Sequence, residues 1–121
     1  MNFLTLVYII NATFLLLHEV ESSYEREWEI LKLPGKITGF LLMHIPIILL
    51  LFYGAIEIDK TSTTGLLFGL ITGISGLIPF IVHKLIVKKD EHFNLFISNF
   101  IIYFNILTGI VLLSLTAGLL F

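Results

Sequence analysis

Residues 93–121, FNLFISNFIIYFNILTGIVLLSLTAGLLF, run from Phe93 to Phe121 without one charged side chain. As an α-helix this stretch would measure roughly 43 Å at 1.5 Å per residue. A hydrocarbon core is only about 30 Å thick, so a helix of this length crosses it and must tilt or protrude. Spanning β-strands would alternate in polarity over about 10 residues, and this stretch does not. Working back along the chain, three more apolar runs meet the same test, at about 3–20, 37–56 and 64–83. Together they predict an all-α polytopic membrane protein: one domain, a four-helix transmembrane bundle with up-down topology.

Composition leads to the same solvent. The chain has 121 residues, of which 57% are apolar and 13% charged, against about 25% charged in an ordinary soluble domain. Sixteen charges cannot cover the surface of a soluble globule this small. The formal net charge of −2 carries no nucleic-acid footprint. With no cysteine, disulfides, thiolate metal sites and cysteine nucleophiles are excluded.

Basic residues orient the spans. Arg26, Lys32, Lys36, Lys84, Lys88 and Lys89 flank the first and third connections, whereas Lys60 alone falls in the second. The positive-inside rule then predicts a multi-pass protein of the cell membrane with both termini outside and loops 21–36 and 84–92 cytoplasmic. No basic segment precedes Phe3, and His18-Glu19-Val20-Glu21 lacks the small residues of a cleavage site, so the first span is expected to be retained. Residues 21–33 are mostly good helix formers stopped by Leu33-Pro34-Gly35. With Tyr24, Trp28 and Leu31 on one stripe, they predict a cytoplasmic interfacial helix. Gly65, Gly69 and Gly73 form a small-residue ladder suited to close helix packing, within the bundle or in a homo- or hetero-oligomer. Glu57, Asp59, Lys60 and the Thr/Ser run at 61–64 read as a plain external turn.

The histidines gather at the basic end. His18, His44 and His83 each lie roughly 8–12 Å inside a flanking basic residue on three successive antiparallel spans. His92 opens the fourth. At 100° per residue Glu21 shares a face with His18, with Glu25 one turn further. Gly69, Thr72, Gly76 and His83 share another, expected to pack inward. On the last span Asn94, Ser98, Asn105 and Thr108 make a polar stripe. Asn105, near mid-membrane, is expected to find a partner inside the bundle. Glu19, Glu27, Asp90 and Glu91 read as solvated loop charges, and Lys84, Lys88 and Lys89 as snorkelling anchors.

Imidazoles at one depth with a His-x-x-Glu pair are what a metal site in a bundle core requires. The expected ligands are His18, His44, His83 and Glu21, with His92 beside them and Glu21 or Glu25 as acid–base groups. The donor types suit Zn or Fe, haem ranking below either. The function that follows is a small membrane metalloprotein, in its most specific form an enzyme on a lipid or isoprenoid-like substrate. A metal-free Glu/His proton-transfer site, a non-catalytic accessory protein and a one-haem electron carrier stand as alternatives. No Gly-x-Ser-x-Gly, Walker loop, Rossmann glycines or His-Glu-x-x-His occurs.

The run His18-Glu19-Val20-Glu21, followed by Glu25, Trp28 and the Leu33-Pro34-Gly35 break, resembles small bacterial membrane proteins named for an HXXEE motif. Those are polytopic proteins with a His/Glu signature in the first helix, a later histidine and a Pro-Gly element. The similarity covers roughly residues 10–46. His18 and Glu21 carry over directly and His44 as the later histidine, while Ser22 stands where the motif has its second Glu. That family has no established activity, so the resemblance implies a polar functional site and names no reaction.

Overall fold

The computed structural model describes residues 2–86 and 95–121. All regular structure among them is helical: α1 (Phe3–Tyr24), α2 (Glu27–Ile30), α3 (Lys36–Asp59), α4 (Thr63–Ser75), α5 (Ile78–Phe80), a π-helical turn (Ile81–Ile86) and α6 (Phe96–Leu120). Four segments, Phe3–Tyr24, Lys36–Asp59, Thr63–Leu85 and Phe96–Leu120, are long and apolar enough to cross a membrane. They form the expected up-down bundle. The helices α1 and α4 each pack on both α3 and α6, and they also touch each other across the centre.

The end that holds residues 57–63 is packed mainly by apolar side chains. Leu4, Val7, Tyr8, Ile58, Leu66 and Leu112 form its buried apolar core. Local chemistry pins the helix ends there. Asn2 caps α1 by accepting from the Thr5 amide at 2.8 Å, and Ser62 caps α4 by accepting from the Gly65 amide at 3.0 Å. Ser62 Oγ also donates to Glu57 Oε2 at 2.9 Å, so the turn at 57–63 is a hydrogen-bonded one.

The glycine ladder is consumed inside the chain. A Cβ on Gly69 would stand 2.3 Å from Thr116 Cγ2, and one on Gly73 would stand 2.9 Å from Leu113 Cγ. A Cβ on Gly65 would collide with the Glu57 carbonyl at 2.3 Å. Small residues let α4 lie directly on α6 and on the end of α3. This face is therefore filled by the chain's own helices, the use within the bundle expected of it.

Two departures shape the basic end. The interfacial helix expected over 21–33 is not continuous: α1 runs on to Tyr24, Arg26 turns left-handed at φ 53°, and α2 is a single turn. Ser22 and Ser23 weaken the helix there, Ser22 Oγ donating back to the His18 carbonyl at 2.9 Å. The fold-back buries Trp28 against Phe40, with ring centroids 5.6 Å apart, instead of leaving it exposed. Gly35, at φ 91°, then supplies the left-handed residue that starts α3. The third span is also interrupted. Pro79 has no amide for the Ser75 carbonyl four residues back, and α4 stops at Ser75 before α5 and the π-helical turn carry the chain onward.

Candidate functional site

The polar side chains line the basic half of the bundle in three layers. In the deepest layer, Asn11 of α1 joins three helices. Its Nδ2 donates to the Thr72 carbonyl at 3.0 Å, and its Oδ1 accepts from Thr108 Oγ1 at 2.8 Å. Gly76 makes room for it, since a Cβ there would lie 2.7 Å from Asn11 Oδ1. Asn105 lies beside this node and is fully buried, yet neither its Oδ1 nor its Nδ2 meets a hydrogen-bond partner among the described residues. The expectation that it finds one is not met.

The second layer pairs His18 with His83. Both are buried, and their rings meet edge to face with centroids 5.1 Å apart. Ser22 Oγ is 3.4 Å from His18 Nε2. The face of Gly69, Thr72, Gly76 and His83 is buried as expected, even though a proline and a π-helical turn intervene. Glu21 does not join these rings as a ligand: its Oε2 accepts from Ser98 Oγ of α6. Its Oε1 is buried with no hydrogen-bond partner among the described residues. Lys84 turns along α6 to donate to Asn99 Oδ1 and sits 6.0 Å from the Tyr103 ring centroid, so it is more than a snorkelling anchor.

The third layer is an ion-pair geometry between α1 and α3. His44 Nδ1 lies 2.7 Å from the Phe40 carbonyl, an acceptor, so Nδ1 carries a hydrogen and donates. His44 Nε2 lies 2.5 Å from Glu19 Oε2. Two such atoms approach this closely only with a proton between them. The pair therefore holds one proton and is neutral as a unit, whether written as imidazolium with carboxylate or as imidazole with carboxylic acid. Glu19, read from sequence as a solvated loop charge, is the carboxylate that His44 meets.

Beside this pair lies a cavity of about 280 Å³. Leu15 and Leu16 of α1 and Phe40, Met43, Ile47 and Leu51 of α3 form two walls. Ile78, Pro79 and Val82 form the third, and Leu31 and Leu33 close the basic end. Among the described residues, the polar side chains on its surface are Ser75, His18, Glu19 and His44. From Phe40 to Leu51 it extends roughly 16 Å along α3. The break after Ser75 creates it, because α5 packs on α6 while α3 stays with α1, α2 and α4. Met43 is 45% exposed, Ile47 38% and Ile78 48%, so the cavity opens sideways onto the lipid-facing surface.

No group of three or more His, Cys, Asp or Glu side chains among the described residues is arranged to hold a metal ion. The centre expected from His18, His44, His83 and Glu21 is thus not assembled among them: the first and third histidines meet, the second pairs with Glu19, and Glu21 goes to Ser98. Glu25 caps the C-terminus of α1 with its amide and does not line the cavity. His92, with Lys88, Lys89, Asp90, Glu91 and Asn94, lies outside the described residues. Of the features that sequence reading missed, Glu19 had the depth argument already used for the histidines in its favour, and Pro79 marked the break.

Fold and site together define a small polytopic four-helix membrane protein with a polar cluster and a laterally open cavity at one end. The chain belongs to the family of unknown function DUF6713, whose model matches residues 4–119. No curated protein and no solved structure matches it.

Proposed function

We propose that this protein takes a lipid-like molecule sideways from the bilayer into the cavity between α1, α3 and α5 and holds its polar end at the His44–Glu19 pair. The observation that carries this reading is the combination of an apolar, laterally open cavity with one built polar contact inside it. Ligand sites are commonly apolar clefts with a few placed polar groups, and this cavity is close to the lower end of their usual size, about 300 Å³. It has room for one hydrocarbon chain or ring, not for a two-chain phospholipid. In the orientation drawn from the basic residues, the mouth faces the cytoplasmic leaflet. The shared proton also gives the site an acid–base group within reach of a bound molecule, as acid–base catalysis on a double bond or carbonyl would need.

Photolabelling tests the reading. A single-chain probe with an aliphatic diazirine is incorporated with the purified protein into nanodiscs, and the labelled peptides are mapped. Labels should concentrate on residues 15–19 and 40–51, and Leu16→Trp, which fills the cavity, should reduce them there. Labels spread evenly over all lipid-facing helices would reject the cavity as a ligand site.

A further inference from the structure

We infer that the molecule this cavity accepts is an uncharged single-chain amphiphile whose end carries a hydrogen-bonding oxygen, as in an alcohol, a ketone or a quinone. The inference rests on the cavity being a ligand site and specifies what enters it. Three observations lead here. First, among the described residues no lysine or arginine lines the cavity, so none of these would neutralise a phosphate or a carboxylate. Lys84, the basic residue of the adjoining π-helical turn, is turned to Asn99 and Tyr103 instead.

Second, the one carboxylate is already matched. Glu19 Oε2 sits 2.5 Å from His44 Nε2 with a proton between them, and the opposite nitrogen is tied to the Phe40 carbonyl at 2.7 Å. The Glu19–His44 pair thus adds no net charge of its own to the cavity. An anionic end would face Glu19, and a cationic amine would have to displace His44 from it. Either would add a net charge to an apolar enclosure, which is costly without a partner. A hydroxyl or carbonyl oxygen adds no charge and can share in the hydrogen bonding of the pair.

Third, the ionisable side chains among the described lining residues lie toward one end. Glu19 and His44 lie toward the basic end, and beyond them Ile47 and Leu51 continue the apolar wall toward mid-membrane. A molecule with one polar end and one apolar chain fits that polarity, with its chain pointing inward.

The test extends the photolabelling to four probes of equal chain length and diazirine position, ending in alcohol, carboxylate, phosphate and primary amine. Each is loaded into nanodiscs with the full-length protein at equal bilayer concentration. Cavity labelling by the alcohol should exceed that by each charged probe at least about tenfold, the modest end of the cost of burying an unpaired charge. Glu19→Gln removes the negative partner and should narrow the gap between alcohol and carboxylate to about threefold or less. Glu57→Gln, at the far end of the bundle, should leave the order unchanged. Equal or stronger cavity labelling by the phosphate, carboxylate or amine probe in the wild-type protein would overturn the inference while leaving the cavity a ligand site. Absence of cavity labelling by all four would overturn both. The wild-type series stands by itself if Glu19→Gln fails to fold.

Discussion

Asn11 and Asn105 are the same residue type at the same depth, both fully buried, and they differ only in what they touch. Asn11 makes two interhelical hydrogen bonds, whereas the Asn105 amide makes none among the described residues. Alanine at either position loses similar volume and gains similar helix propensity, so those terms cancel in a comparison. Asn11→Ala should therefore destabilise the protein by about 1–2 kcal/mol more than Asn105→Ala, as read from reversible unfolding in detergent. The His44–Glu19 pair yields a second test. Glu19→Gln and His44→Ala should each lower stability, and the double variant should cost less than their sum by about 1 kcal/mol or more, because each single change strands the other partner. Additive costs would mean that the pair does not interact. Sequence reading placed His44 at the depth of the other histidines and grouped it with Glu21, whereas the structure sets it against Glu19. Glu19 and Glu21 are two residues apart and close in depth, so only the packing of α1 on α3 decides between them.

At the scale of elements, the helices were legible because apolar runs and helix length depend on local composition alone. What periodicity did not reveal was interruption. A helical wheel drawn through 64–83 assumes one axis, but Pro79 removes a backbone donor and the π-helical turn resets the phase beyond it. The first connection shows the same limit: its good helix formers predicted one interfacial helix, and burial of Trp28 on Phe40 won instead. Small residues make a cleaner prediction. Gly69→Ala places a methyl 2.3 Å from Thr116 Cγ2 and should lower the unfolding temperature, since α4 and α6 must separate to admit it. Gly118→Ala meets nothing within 4 Å and should be neutral or stabilising by up to about 1 kcal/mol through helix propensity alone. If both variants behave alike, the α4–α6 contact is not as close as drawn here.

Over the whole molecule, polarity is divided along the membrane normal. Apolar packing fills the end that carries residues 57–63, and His18, His44, His83, the buried amides and the cavity occupy the basic end. Orientation then decides which leaflet the cavity serves. Sidedness reporters placed at Leu33 and at Ser62 should fall on opposite faces of the membrane, with Leu33 on the cytoplasmic side. A reversed result would move the proposed ligand's entry to the outer leaflet, and both reporters on one side would contradict four spans. By itself the sequence determined the solvent, the number of spans, the helical class and the gathering of polar groups at one end, since all of these follow from composition and length along the chain. Tertiary structure alone decided which polar groups meet. It turned the glycine ladder inward, matched His44 with Glu19 and His18 with His83, and opened the cavity where α5 leaves α3. Such choices depend on helix rotation and on breaks in the backbone, and a turn of a few tens of degrees exchanges one partner for another without changing a residue.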